Sequence, residues 1–392
     1  MREINSIHKH LPALVAAVFG VALTILLFPL NFFRRDRKQN LPDSRFDERD
    51  TLFARIARVD GTPQYEEYYS RNKHLKSDDD RSRSKPRLCS EGTKHYHPTY
   101  SPQTRKYFEE IEEIEADRIV VKGLKKKLED SKNPDAALKE IIISLGAVSV
   151  GYTKLDREYI YKYKGRRDFH YGEPNNLDHP SAIIFLTEMD FDRMQRSPDA
   201  EATLETSLQY HRAAIIAITI TETLKSLGYQ AESNFDAHYD LILPPLAVNA
   251  GLGELGRNNI LIADRYGSRV RIGAISTNFP LKYDSPIYLG AADFCEICKK
   301  CADNCPPKAL STGERENILG VQKWGTRVEQ CYGYWRSIGT DCGVCMACCP
   351  FSHKNNLFHN IVRKVIPLNP WVRHAALWFD DQIYGRNWKG LS

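Results

Sequence analysis

The stretch CEICKKCADNCP, Cys295–Pro306, decides how the chain is read. Its spacing is C-x2-C-x2-C-x3-C-P. Three cysteines two residues apart can wrap around one cubane iron–sulfur cluster. The fourth points away to a second cluster, and proline turns the chain there. A zinc site needs four ligands that converge on one ion, usually as two C-x2-C pairs with a long spacer. A disulfide framework would spread its cysteines over a small secreted domain. Here nine of the ten cysteines lie between Cys295 and Cys349, only Cys89 lies outside, and the chain has 392 residues. Local crowding in a large, otherwise cysteine-free protein reads as metal ligation.

Downstream, Cys342, Cys345, Cys349 and Pro350 repeat the end of the motif, with Cys331 farther back and Cys348 left over. The crossed rule gives one [4Fe–4S] cluster Cys295, Cys298, Cys301 and Cys349. It gives the other Cys305, Cys331, Cys342 and Cys345. Cys348 and Cys89 read as non-ligands. Two clusters held close together suit sequential electron transfer, and such a module needs only about 60 residues. The longer globular part ahead of it then holds the electron's source or destination.

Working outward, composition is ordinary for a globular chain, 42% hydrophobic and 27% charged, so a substantial core can form. The net charge of +5 is small and evenly spread, which argues against a nucleic-acid partner. At the N-terminus, Leu11–Phe33 runs 23 residues without a charge. As a helix it would span roughly 34 Å, enough for the hydrocarbon core. No small-residue cleavage site follows it, and Arg34-Arg35 comes after the apolar run rather than before it, unlike a twin-arginine export signal. The segment 1–33 reads as a retained membrane anchor. The basic residues Arg34, Arg35, Arg37 and Lys38 place the remainder on the cytoplasmic side.

Residues 34–105 are polar and charge-dense and read as an extended arm wrapping the core. Tyr65, Tyr68 and Tyr69 could anchor it. The spacing predicts an amphipathic helix over Asp135–Ala147, capped by Asp135, and a long helix over Leu204–Tyr229. Ala147–Leu155, Ala182–Met189 and the run from Tyr266 to Thr277 read as strands. Without a tight βαβ rhythm, the class is α+β. The domains expected are a globular core over 106–284, a two-cluster ferredoxin-like module over 285–355, and a helical, aromatic segment over 356–392 that packs back on the core.

LAVNAGLGELGRNN, Leu246–Asn259, holds Gly251, Gly253 and Gly256 in G-x-G-x-x-G order. It follows Pro244-Pro245 rather than a clean strand, so a nicotinamide site is a poor reading. A tight structural loop and close backbone approach to another large cofactor both remain open. Taken together, Tyr210 on a helix, VNAGLGELGRNNILI, GSRVRIG, FCEICKKCADNCP and CGVCMACCPF resemble the corrinoid- and iron–sulfur-dependent reductive dehalogenases. RFDERDTLFARIARVDGTPQYEEYY and the terminal DDQIYGR do so too. Epoxyqueuosine reductase is a relative with the same loop and cluster motifs.

The resemblance implies a nitroreductase-like core that holds cobalamin beside the ferredoxin-like module, with Gly251, Gly253 and Gly256 near the cofactor. It implies reductive removal of halide from a small-molecule organohalide, fed by an electron-donor protein or membrane redox carrier. Tyr210 matches the family's proton donor and Arg269 the arginine beside it, with Arg271 as the fallback. Asn234 corresponds to a polar substrate contact. Neither DFHYG (Asp168–Gly172) nor DAHYD (Asp236–Asp240) matches the D-x-H-x-x-G ligand signature of other corrinoid proteins, so His170 and His238 read as surface or packing residues. Family members in respiration are typically exported with a twin-arginine signal, which this chain lacks. Reduction of a non-halogenated substrate by the same cofactors, or plain electron carriage at the membrane, are the alternatives.

Overall fold

The computed structural model describes residues 41–390, apart from 112 and 115. The apolar run Leu11–Phe33 lies outside them. Helices α1 (Leu52–Ala57), α2 (Pro63–Arg71) and α3 (Lys73–Arg83) lead to α4 (Tyr100–Glu110), α5 (Arg118–Glu129) and α6 (Pro134–Ser144). Then come β1 (Ser149–Lys154), β2 (Ser181–Glu188), α7 (Phe191–Met194), α8 (Ala200–Ser226), β3 (Ala231–Asn234) and α9 (Leu243–Asn249). A hairpin of β4 (Gly253–Leu255) and β5 (Leu261–Ala263) precedes β6 (Val270–Thr277). The cysteine region carries α10 (Ala291–Cys298), α11 (Lys300–Asp303), the hairpin β7 (Glu316–Ile318) and β8 (Val321–Lys323), α12 (Val328–Ile338) and α13 (Val344–Ala347). The last helices are α14 (Leu357–Val365) and α15 (Pro370–Tyr384).

The central sheet has the order β1-β2-β6-β3 and is antiparallel throughout. Its inner strand β2 is buried on both faces, which is why AIIFL is a continuous apolar run rather than an alternating one. On one face Ile183 and Phe185 meet α6 and α8 through Leu138, Ile141 and Ile220. On the other, Ile184 and Leu186 meet α9 through Leu246 and Ala247. The mixed helix-and-sheet class expected from the sequence is the one observed. Ala213, Ala214 and Ala217 are fully buried on α8; with so little side chain, they let this helix lie close to the sheet, with Tyr210 one turn before the contact.

Two local expectations need correction. The N-cap of α6 is Asn133, whose side chain accepts from Ala136 N, and Pro134 opens the helix. Asp135 instead accepts from Lys282 N at 2.8 Å. The arm is helical from Leu52 to Arg83 rather than extended. The tyrosines do bury: the hydroxyls of Tyr65, Tyr68 and Tyr69 donate to Asp80, Asp50 and Asp79 at 2.8, 3.0 and 2.8 Å. Arg55 then joins the arm to α12, 3.3 Å from Asp79 and 2.8 Å from Glu329. Charge density masked these helices because their apolar face is made of tyrosine rings over paired carboxylates.

The β4–β5 hairpin is unusually tight. A Cβ on Gly253 would stand 2.3 Å from the Ile262 carbonyl oxygen, and one on Gly251, at φ +73°, 2.5 Å from that of Ser285. Backbone cannot yield there without opening the ladder. Gly253→Ala is therefore expected to lower stability by about 1–3 kcal/mol, the usual range for overpacking. Denaturant unfolding checks it, and an unchanged midpoint would contradict this view of the hairpin.

Candidate functional site

Tyr210, on α8, faces a cavity of about 330 Å3 whose wall includes Arg166, Asp236, Tyr239, Arg271 and the hairpin tip Asn259–Leu261. Thr203, Thr206 and Tyr210 recur along one face of that helix, since residues three and four apart are neighbours. Arg271, on β6, lays its guanidinium over the Tyr210 ring, 4.7 Å from the centroid. It donates to Thr206 Oγ1 at 3.0 Å and lies 3.6 Å from Asp341. Thr203 Oγ1 donates to the other oxygen of Asp341 at 2.8 Å. The Nε of Arg271 is buried with no hydrogen-bond partner among the described residues. A cation against a ring face attracts it through the ring's quadrupole.

Burial raises the pKa of the Tyr210 phenol; Arg271 pulls it down, Asp236 and Asp341 push it up, and Arg166 pulls it down. Tyr239 is pushed higher still, first by burial and then by Asp236 and Tyr210. Burial works against the charge of Arg271, yet Tyr210, Asp341, Tyr239 and Asp236 hold it protonated. The outcome is a phenol that keeps its proton at neutral pH beside cations able to stabilise the phenolate. Such a group can act as a general acid.

Two site expectations change here. Arg269 is fully buried away from the cavity. Its guanidinium donates to the carbonyls of Ser352 and Met189 at 2.8 and 2.6 Å and to Glu188 at 3.1 Å. It lies before the strand, in the turn closed by its own N–H to Tyr266 O, so its side chain runs to the short turn Pro350–Ser352 after Cys349. Arg271 is the arginine beside Tyr210. Asn234 uses both ends of its amide internally: Nδ2 donates to Glu232 O and Oδ1 accepts from Asp240 N, at 3.2 and 2.8 Å. It shapes the loop that carries Asp236 and Tyr239 and does not line the cavity. Around Gly251, Gly253 and Gly256 the chain itself closes in through Ser285 and Ile262, as a tight structural loop requires, and none of the three lines the cavity.

What the glycine motif does is carried by its polar residues. Glu254 Oε2 accepts from Ala291 N and Ala292 N at 2.6 and 3.3 Å, capping the helix that bears Cys295 and Cys298. Arg257 donates to the carbonyls of Cys295, Ser311 and Gly313 at 3.1, 2.8 and 2.8 Å. Its guanidinium lies 4.8 Å from the Trp324 ring centroid. Asn258 Nδ2 approaches Cys345 O at 3.5 Å, and Asn259 donates to Trp324 O at 2.8 Å. Sequence reasoning fixed on the glycines and passed over these four, although GELGRNN displays them. It weighed DAHYD for its histidine, while the cavity takes Asp236 and Tyr239. His238 packs on Phe235, with ring centroids 4.5 Å apart. Burial and then Arg167 and Arg166 lower its pKa to about 4. His170 pairs with Glu173 at 2.8 Å.

The cysteines gather as two neighbouring sets. Burial, and then Cys349, pushes Cys295 up to about 12; burial, Cys295 and Cys349 raise Cys298. Cys301 is raised by burial and Cys295, then by Cys348, Cys345 and Cys349. In the second set burial and Cys305 raise Cys331 to about 11. Burial, then Asp341, Cys331 and Cys305, raise Cys342 to about 12. Cys345 is raised by burial and by Cys342, Cys331 and Cys305. Cys348 lies between the sets, its neighbours being Cys345, Cys349 and Cys298. Among the described residues no three His, Cys, Asp or Glu side chains converge to hold a single ion. Buried thiols crowded in fours are stable as thiolates only with cationic metal beside them, and a cubane takes its four ligands at separate corners.

A buried acid–base pocket shares a hairpin with a cysteine region of two sets, an arrangement able to separate proton handling from electron handling. Tetrachloroethene reductive dehalogenase of Sulfurospirillum multivorans is 33% identical over 220 residues, 54% of this chain and 43% of that protein. The enzyme of the same name from Dehalobacter restrictus is 30% identical over 276 residues, 66% of this chain and 47% of its own length. A solved catabolic reductive dehalogenase covers 92% of this chain and 49% of its own at 23% identity, with a TM-score of 0.70. Another, whose dehalogenation is B12-dependent, covers 90% and 48% at 22% identity, with a TM-score of 0.67. No family model matches the chain. The chain spans less than half the length of these curated relatives, and its resemblance to reductive dehalogenases, read from the motifs, is borne out in sequence and in fold.

The two arginines of GSRVRIG separate experimentally. Arg269→Gln strips a buried charge from Glu188 and leaves two carbonyls unpaired, for a loss of about 3–5 kcal/mol of stability. Arg271→Gln is expected to cost less stability and more function. Losing the neighbour that lowers the Tyr210 pKa moves the alkaline limb of the pH–rate profile upward, because the donor stays protonated to higher pH. Thermal melts and pH profiles of the two variants read this, and an alkaline limb moved by Arg269→Gln instead would contradict it.

Proposed function

We propose that the chain is an oxidoreductase, a reductive dehalogenase that uses cobalamin and two [4Fe–4S] clusters to replace halogen by hydrogen on a small organohalide. The overall change adds two electrons and one proton, releasing halide. The observation that carries the proposal is Tyr210 under Arg271 in a cavity walled by the hairpin that also clasps the cysteine region.

The residues present fit both groups. Cys295, Cys298, Cys301 and Cys349 would hold one cluster, and Cys305, Cys331, Cys342 and Cys345 the other, within a ferredoxin-like module over 285–355. The second set is the one next to the cavities. Ile260, which lines the inner cavity, and Cys345 pack against the same buried cluster of Met189, Met194, Ala202 and Met346, and Tyr332, following Cys331, lines a larger cavity of about 1140 Å3. Phe53 and Arg166 line both cavities, which together suit a corrinoid with substrate beside it. No histidine lines either among the described residues. When bound, the clusters deliver single electrons and the corrinoid supplies the reduced cobalt at which the carbon–halogen bond is cleaved.

The chain's own residues handle position and proton. Tyr210 donates its phenolic proton to the carbon that loses halide. Arg271 and Arg166 hold the resulting phenolate until it is reprotonated through the cavity. Tyr161, Tyr239, Leu241 and Ile272 exclude bulk water, which strengthens those electrostatic contacts. Leu11–Phe33 is proposed as the membrane anchor, with the catalytic part on the cytoplasmic side and a protein or membrane carrier as electron donor.

Tyr210→Phe keeps the ring under Arg271 and removes the proton. In protein reconstituted anaerobically with clusters and cobalamin, halide release is expected to fall by about 100-fold or more. Corrinoid retention and cluster reduction should be unchanged. Full-rate halide release from this variant would dismiss Tyr210 as donor, and failure of the wild-type chain to retain any corrinoid would overturn the proposal itself.

A further inference from the structure

The larger cavity, about 1140 Å3 between the arm helices, α4 and α12, is lined by Arg58, Arg83, Arg87, Arg105, Arg166 and Arg336. Against these six guanidinium groups stand three carboxylates, Asp60, Glu109 and Glu113. Several of the arginines are fixed by neutral acceptors, which orient them without cancelling charge. Arg58 donates to Ala54 O at 3.0 Å and Arg336 to Pro86 O at 2.6 Å. Arg83 leans on Asp80 and the Arg55 carbonyl, and Arg166 has Asp236 at 3.5 Å. Arg87 and Arg105 are exposed, and the described residues provide neither with a hydrogen-bond acceptor or an ion-pair partner. Charges of one sign lining a low-dielectric cleft focus the field and draw in ions of the other sign.

We propose that this cavity binds an oxyanionic group, a carboxylate, phenolate or phosphate ester, with Arg87 and Arg105 at its mouth. The proposal rests on the dehalogenase reading for what lies beyond: Phe53 and Arg166 are shared with the inner cavity, where Tyr210 stands. The oxyanion belongs either to the organohalide or to the phosphate-bearing tail of the corrinoid. A guanidinium recognises both by the same paired donation.

The test uses the full chain with clusters reconstituted, and the double variant Arg87→Gln with Arg105→Gln, whose sites are exposed enough to leave the fold intact. One arm measures equilibrium binding of 3-bromobenzoate and of its neutral counterpart 3-bromobenzamide by calorimetry. The other measures retention of cobalamin and of cobinamide, which lacks the phosphate-bearing tail. About a tenfold weaker binding of the benzoate alone assigns the oxyanion to the organohalide. The same loss for cobalamin and not for cobinamide assigns it to the corrinoid. If all four ligands bind the double variant as they bind the wild type, the proposal is overturned. Neither arm depends on turnover: if the chain retains no corrinoid and still binds the benzoate more tightly than the benzamide, the dehalogenase reading falls and the oxyanion site stands.

Discussion

Glu254, Arg257, Asn258 and Asn259 sit on one short hairpin, and each places its polar group across the boundary between the sheet core and the cysteine region. That clasp is the constraint on which the remaining geometry depends. Arg257 is almost wholly buried, and a buried guanidinium is tolerated only when its donors are used; three carbonyls of the cysteine region use them. The hairpin can reach that far inward because glycine at positions 251 and 253 lets the backbone touch Ser285 and Ile262. Its tip then has nowhere to go except the wall of the cavity, where Asn259, Ile260 and Leu261 face Tyr210 and Arg271. One element thus sets the spacing between thiols and phenol.

The chain from sequence to chemistry runs through burial. Crowding buried thiols is unfavourable unless metal neutralises their thiolates, so the cysteine region stores a demand for cations in its packing. The pocket around Tyr210 does the reverse with the proton. Burial and two carboxylates hold it on the oxygen, while Arg271 and Arg166 keep the deprotonated form within reach. Asp341 links the two regions, since it contacts Arg271 and precedes Cys342 in the chain.

Much of this was legible in the residues. The C-x2-C-x2-C-x3-C-P spacing displays the cysteine region plainly, because short loops leave few geometries open. The apolar run of β2 and the long helix bearing Tyr210 were equally plain. Arg269 and Arg271 could not be told apart, since they are two residues apart and only the turn at Tyr266 sends them to different places. Asn234 looked like a free amide, yet the partners that occupy it are backbone groups no side-chain pattern displays. The arm's helices were hidden because tyrosine–aspartate pairs replace the aliphatic stripe that usually reveals an amphipathic helix. The apolar run Leu11–Phe33, expected to be a membrane anchor, lies outside the described residues.

The central claim is that two interleaved sets of four thiols hold two cubanes, with the set nearer the hairpin tip facing the cavity. Electron paramagnetic resonance of the anaerobically reduced chain addresses it directly when wild type and Cys349→Ser are compared alongside iron analysis. The account predicts about eight irons per chain and two spin-coupled [4Fe–4S] signals. It also predicts that the serine variant perturbs the cluster of Cys295, Cys298 and Cys301 and leaves the other's signal in place. Tetrahedral zinc at the thiolates, or a serine variant that alters only the cluster of Cys331, Cys342 and Cys345, would contradict it.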